Sequence, residues 1–366
     1  MSVVCSYNEW DPLEEVIIGD GFPETLPLLD FSFKLFFNDN LNQGNDYKYG
    51  DEQVLKRHVA EHSEDIEAFV DLLKSLGVVV KRPKVPATLY KVKTPAWTST
   101  IHPALNVRDM CMIVGDMIIE TPPTLRYRYF ENNLLSHLFL EYFKEGAKWI
   151  QAPKPIMTDR SFDLSYVEDM TGEKHTFESE MSRPHRLDHG YEIMFDAANC
   201  VRMGKHILMN VSNKNQELGA QWLQTAIGDE YKVWTAGITD SHIDSSFLPL
   251  RPGLALIMRP IVKELLPKPL QSWDLIHIPM RNRSEAEINQ QGIKLASPRI
   301  ELNVLSVSPE LIICHPQYEQ ILNMTLKPYG IQAIGSPFRH CEIFSGAHHC
   351  TSLDVRRKGK LENYFD

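Results

Sequence analysis

The chain has 366 residues, with 38 Lys and Arg against 48 Asp and Glu, a formal charge of −10, and 43% hydrophobic and 23% charged side chains. That acidity argues against nucleic acid or an anionic membrane as the main partner, and the balance of apolar and charged residues excludes a disordered or fibrous chain. No apolar run approaches the roughly 18 residues that a membrane helix needs, and no boundary interrupts the sequence, so a single soluble domain over residues 1–366 is expected.

In chain order, residues 13–18 read as a buried strand. Ile66, Phe69, Val70, Leu73 and Leu76 recur at helical spacing up to Gly77, and Val78-Val79-Val80 follow as a strand. Residues 110–114 and 117–119 flank the turn Gly115-Asp116 as a first hairpin, with Leu134, Leu135, Leu138 and Tyr142 marking a helix before Gly146. A second hairpin spans 199–203 and 206–209 around Gly204-Lys205, and its helix carries Leu218, Trp222, Leu223 and Ile227 before Gly228. A third turns at Arg251-Pro252-Gly253 and a fourth at Ser308-Pro309-Glu310, the latter followed by Tyr318, Ile321, Leu322 and Leu326 before Gly330. About five hairpin-helix-strand modules result. Each leaves a hydrophobic face that only a neighbour can cover, so a closed arrangement is predicted.

The six cysteines, Cys5, Cys111, Cys200, Cys314, Cys341 and Cys350, show no C-x-x-C pair and no leader precedes them, which points to the cytoplasm. Cys5, Cys111, Cys200 and Cys314 fall in apolar runs and read as small core residues. Polar residues gather beside the hairpins: Asp109 at the first, Asp196 at the second, Ser241-His242-Ile243-Asp244 at the third, and His348-His349-Cys350 after the last module. Singly, each has a plainer reading: an aspartate caps a turn, a histidine is a satisfied core group, and Cys350 with His340 and Cys341 nearby admits a zinc site. Together, carboxylates that bind a planar guanidinium, a thiol able to attack its carbon and a histidine able to move a proton suit cysteine-based chemistry on a guanidino compound.

The segments Ser6-Tyr7-Asn8-Glu9-Trp10-Asp11-Pro12, Val107-Arg108-Asp109, Ile118-Ile119-Glu120-Thr121-Pro122, Phe195-Asp196-Ala197-Ala198-Asn199, His242-Ile243-Asp244 and His349-Cys350-Thr351-Ser352-Leu353-Asp354-Val355-Arg356-Arg357 resemble the arginine amidinotransferases, in order over nearly the whole chain. The resemblance implies an α/β pentein fold, a five-bladed pseudo-symmetric propeller with its site on the axis. It implies a ping-pong transfer from L-arginine to an amine acceptor, with ornithine released and neither metal nor organic cofactor. Cys350 matches the nucleophile, His242 the general acid/base, Asp196 the carboxylate that orients it, and Asp109 and Asp244 the other guanidinium-binding acids.

Three departures bear on specificity. Arg259 stands in a run that lacks the family's Asn-Pro-x-Arg segment, and Ser297 falls where a family serine helps bind the donor carboxylate. Ser241 replaces the bulky methionine of glycine-using members, which favours a larger acceptor such as lysine, giving homoarginine, or an aminocyclitol derivative. Leu353, in the place of a second cysteine of animal members, suggests the bacterial branch that makes toxins or antibiotics. The competing readings are a guanidino hydrolase of the arginine deiminase kind, a glycine amidinotransferase giving guanidinoacetate, and a non-catalytic scaffold. A homodimer is the expected assembly.

Overall fold

The computed structural model describes residues 3–21, 30–36, 52–85, 90–165, 181, 184–279 and 302–365. Strand β1 (Leu13–Ile18) is followed by a short helix α1 (Phe31–Phe36) and a long helix α2 (Glu52–Ser75). Strand β2 (Val79–Lys81) and the small hairpin β3 (Lys91–Lys93) and β4 (Thr98–Thr100) come next. Strands β5 (Cys111–Val114) and β6 (Met117–Glu120), helix α3 (Ser136–Lys144) and β7 (Lys148–Gln151) form the next unit. It recurs as β8 (Cys200–Met203), β9 (His206–Asn210), α4 (Lys214–Ile227) and β10 (Lys232–Ala236). It recurs again as β11 (Phe247–Arg251), β12 (Leu254–Ile257), the brief helix α5 (Val262–Leu265) and β13 (Asp274–His277). The last repeat is β14 (Leu305–Ser308), β15 (Leu311–Cys314), α6 (Pro316–Leu326) and β16 (Gln332–Gly335), before the closing strand β17 (Ser352–Arg357).

Among the described residues, five three-stranded sheets share one plan. A first strand runs antiparallel to a second, and a third is parallel to the second: β5-β6-β7, β8-β9-β10, β11-β12-β13, β14-β15-β16 and, joining the two ends of the chain, β17-β1-β2. The parallel third strand requires a crossover, and the helix supplies it. Tight turns use glycine where the backbone is left-handed, as at Gly204 (φ 66) between β8 and β9, where a side chain would also strike the Glu362 carbonyl.

The first two strands of each sheet are largely buried on both faces, which is why runs such as β5, β6 and β12 are apolar instead of alternating, whereas the third strands β2, β7, β10, β13 and β16 are partly exposed and mixed in character. Strand geometry sends successive side chains to opposite faces. Cys111 and Ile113 of β5 therefore enter one core with Ile17, Leu353 and the apolar stripe of α3. Met112 and Val114 enter another with Ile207, Met209 and α4 residues Ala220 and Leu223. Val201 and Leu208 share a third core with Phe247, Ala255 and Ile257. Leu248, Leu254 and Leu256 share the largest with Leu305, Ile312, Val16 and Ile18, under α2 and α6. Sheets that follow one another along the chain are thus welded pairwise, and the last core returns to β1. Cys111, Cys200 and Cys314 are buried as expected, whereas Cys5 is only partly buried and bridges Arg356 outside the named strands. Among the described residues, no helix is long and apolar enough to cross a membrane.

Candidate active site

Each first strand is preceded by a turn that carries polar side chains. Single 3-10 turns at Val107–Asp109, Ala197–Asn199 and Ile243–Ser245 lead into β5, β8 and β11. Asn303 and Cys350 stand just before β14 and β17. Asp196 is fixed by a reciprocal cap, its side chain accepting from the Asn199 backbone while the Asn199 side chain reaches back to the Asp196 N–H. The Ala197–Asn199 turn packs against each of the other two, so residues far apart in sequence meet.

His242 lies between two carboxylates. Its Nε2 is 3.0 Å from Asp196 Oδ2, and its Nδ1 is 3.7 Å from Asp109 Oδ1. Asp196 also accepts from the Thr124 backbone N–H at 3.2 Å and from the Thr124 hydroxyl at 3.1 Å. Asp109 Oδ2 accepts from Arg128 at 2.6 Å, and the same guanidinium grips Glu131 at 2.6 and 2.8 Å. Asp244 Oδ2 accepts from His349 Nδ1 at 2.7 Å and lies 3.6 Å from Cys350 Sγ. The Asn303 amide donates to Cys350 Sγ at 2.8 Å. All these carboxylates and the thiol are buried.

Electrostatics follow from that crowding. Burial pushes the Cys350 thiol well up, Asp244 and Asp109 push it further, and the Asn303 hydrogen bond opposes them. Burial also acts against charge on His242, yet Asp109 and Asp196 prevail and raise it to about 9. Burial opposes ionisation of Asp196 and Asp244 as well, but their hydrogen bonds to His242 and His349 hold both below the usual carboxylate range. Asp109 is raised, because burial there outweighs the pull of His242 and Arg128. Asp244 and Asp109 beside the thiol, with Asp196 across His242, are an arrangement chemically suited to receive a planar cation. A cation held there offsets the acids' influence on the sulfur and frees a thiolate, the reactive form. Among the described residues, no three His, Cys, Asp or Glu side chains are grouped to hold a metal ion.

Cys350, His242, Asp196, Asp109 and Asp244 are therefore brought together. Ser241 is exposed beside His242, with its carbonyl held by the Asn199 and Asn210 amides at 3.4 and 3.2 Å. Arg259 is exposed just past β12, at the same end of that sheet as His242, since the Met258 N–H donates to the Ser246 carbonyl. Ser297 lies outside the described residues. A cavity walled by Ser32, Phe36, Thr124, Asp163, Met194 and Asp240 adjoins the Asp196 side of the site. The ring of Phe36 stands 6.1 Å from that of His242. Thr124, Arg128 and Asn303 were not marked by the sequence. For Asn303 a signal existed, its place before the first strand of the fifth module, where the other modules carry Asp109, Asp196, His242 and Cys350.

No protein-family model matches the chain. Individual proteins do. The chain is 33% identical over 376 residues to the L-arginine:L-lysine amidinotransferase of Pseudomonas savastanoi pv. phaseolicola, covering 100% of this chain and 97% of that protein. The solved inosamine-phosphate amidinotransferase StrB1 of Streptomyces griseus superposes with a TM-score of 0.78 at 31% identity, over 100% of both chains. DDAH from Pseudomonas aeruginosa, at 14% identity and a TM-score of 0.55, covers 93% of this chain and 99% of its own, and shares the α/β fold.

Proposed function

Because the chain belongs to the amidinotransferase family, we propose that it moves the amidino group of L-arginine to an amine larger than glycine, lysine foremost, through a covalent intermediate on Cys350. The observation that carries this reading is the convergence of one thiol, one histidine and three acids at the starts of the first strands. Asp109, Asp196 and Asp244 seat the guanidinium by charge-assisted hydrogen bonds. As the cation enters, the thiol releases its proton to solvent. The Cys350 thiolate bonds to the guanidinium carbon while His242, charged at neutral pH, donates its proton to the departing side-chain nitrogen. The carbon–nitrogen bond breaks, ornithine leaves as a neutral amine, and the sulfur carries a cationic amidino group. The acceptor amine then attacks that carbon, His242 takes up its proton, and the carbon–sulfur bond breaks to restore thiolate and imidazolium.

Ser241 supports the acceptor assignment, since a small side chain beside His242 leaves room that a methionine would fill. Asp163 and Asp240 in the adjoining cavity suit an acceptor that carries a second ammonium group, as lysine does. The same reading extends to architecture: the five sheets close into a pentein ring, a closure favoured by the core shared between the last two sheets and β1.

Mass spectrometry tests the proposal. Arginine alone should add about 42 Da to Cys350, the mass of the transferred group in a covalent mechanism, and Cys350→Ala should abolish both adduct and turnover. With lysine, glycine and an aminocyclitol phosphate supplied separately, ornithine and homoarginine are expected. Guanidinoacetate would move the acceptor to glycine, and citrulline without ornithine would replace transfer by hydrolysis.

A further inference from the structure

We propose that Asn303 is a positioning residue for Cys350, clamping the backbone that carries the sulfur and presenting an N–H donor to the sulfur itself. The inference rests on the reading of Cys350 as the nucleophile. Asn303 Oδ1 accepts from the backbone N–H of His349 at 2.9 Å and of Cys350 at 3.2 Å, while Nδ2 donates to Cys350 Sγ at 2.8 Å. Those two backbone donors fix the orientation of the amide, because a flipped group would set NH2 against two N–H groups. The donor must therefore face the sulfur.

The choice of side chain has a physical reason. Asp244 lies 3.6 Å from the sulfur and opposes negative charge on it, as does Asp109. A lysine in place of Asn303 would favour the thiolate, but it would pair with those carboxylates and repel the guanidinium they are meant to receive. A neutral amide favours the thiolate without a net charge, in the way fixed dipoles stabilise developing anions. The position also fits the fold. Asn303 stands before β14, where the equivalent turns before β5, β8 and β11 supply Asp109, Asp196 and His242. With Cys350 before β17, all five modules then contribute a side chain to one site.

Asn303→Asp keeps an acceptor of the same shape for both backbone N–H groups but cannot donate to sulfur and sets a charge beside it, so Asn303→Ala, which removes the donor without adding charge, is measured alongside. The pH dependence of Cys350 alkylation by iodoacetamide, followed by peptide mapping, reads the thiolate directly. The rate of amidino-adduct formation from arginine reads the chemical step. The N303D alkylation profile should move to higher pH, and adduct formation should slow on the order of 100-fold, the effect typical of losing one such donor. The KM for arginine should change far less. If N303D does not fold, Asn303→Ala, which has no donor and no charge, should still move the alkylation profile to higher pH. An alkylation profile and adduct rate equal to wild type would overturn the proposal, and a lowered melting temperature with an unmoved profile would reduce Asn303 to a structural clamp and overturn it equally. Absence of the adduct in the wild-type protein is a different result, and it would remove the nucleophile assignment beneath.

Discussion

His242 faces Asp196 through one ring nitrogen and Asp109 through the other, and the two acids hold its proton against the effect of burial. A histidine raised from about 6.5 in the unfolded chain to about 9 contributes stability that is complete below the lower value and is lost as pH rises through the higher one. Asp109 is the leading cause of the rise, so Asp109→Asn should bring the His242 titration, read by NMR of its ring protons, below that of the wild type. An unchanged midpoint would show that Asp196 alone sets it. On the proposed reading, the adjacent Ser241 borders the acceptor and bears on the second half-reaction only. Ser241→Met should leave the Cys350 adduct forming from arginine at the wild-type rate but slow its discharge to lysine by roughly tenfold or more, the scale on which pocket volume discriminates substrates. Equal slowing of both half-reactions would place Ser241 in the donor site instead.

The segment that delivers Cys350 is folded tightly against the turn that delivers Asp109. Ser345 holds the left-handed backbone at φ 61, while the Asn106 amide donates to the carbonyls of Phe344 and Ser345 at 3.2 and 3.0 Å. Gly346 follows, and a Cβ there would come within 2.6 Å of the Cys350 Cβ and 2.7 Å of Asn106 Oδ1. Gly346→Ala should therefore cost about 1–3 kcal/mol in urea unfolding, as overpacking does, and should slow adduct formation because the sulfur must move. A stable variant with normal adduct kinetics would show that the loop absorbs the methyl elsewhere. This level of organisation was partly legible in the sequence. Apolar runs broken at Gly115-Asp116 or Gly204-Lys205 announce hairpins, and glycine after a helical stripe announces the third strand. Local pattern does not reveal that β1 pairs with β17 across the whole chain, nor that the fourth module makes do with the four-residue α5 after Pro260. Asp109, Asp196, His242 and Cys350 stood out because their chemistry is conspicuous. Thr124 did not, since a hydroxyl in a turn has too many ordinary uses to signal one, and Asn303 was signalled only by its place before the first strand of the fifth module.

Beneath the site, a buried ion cluster joins the chain's two ends to its middle. Asp354 on β17, a few residues beyond Cys350, accepts from Arg108, Arg202 and Arg357 at 2.7–2.8 Å. Glu9 accepts from Arg202 at 2.8 and 2.9 Å and from Arg108 at 3.2 Å. Arg108 also donates to the His349 carbonyl at 2.9 Å, so the cluster touches the residue that precedes Cys350. Assembling such a cluster adds little net stability over an apolar core, but removing one partner strands the rest. Glu9→Gln should accordingly lower stability at pH 7 by about 3–5 kcal/mol in urea unfolding, the cost of leaving buried guanidinium groups uncompensated. The pH dependence separates this charge effect from a packing defect. Burial works against ionised Glu9, but Arg202, His349 and Arg108 hold its carboxyl below the usual range. Its stabilisation is therefore present above the ordinary glutamate value of about 4.3 and fades as pH falls below that value toward the depressed one. The stability gap between wild type and E9Q should hold steady from pH 8 to 5 and narrow below about pH 4. A gap that persisted unchanged to pH 3, or one below 1 kcal/mol at pH 7, would mean that the shape of the side chain, not its charge, is what the cluster requires.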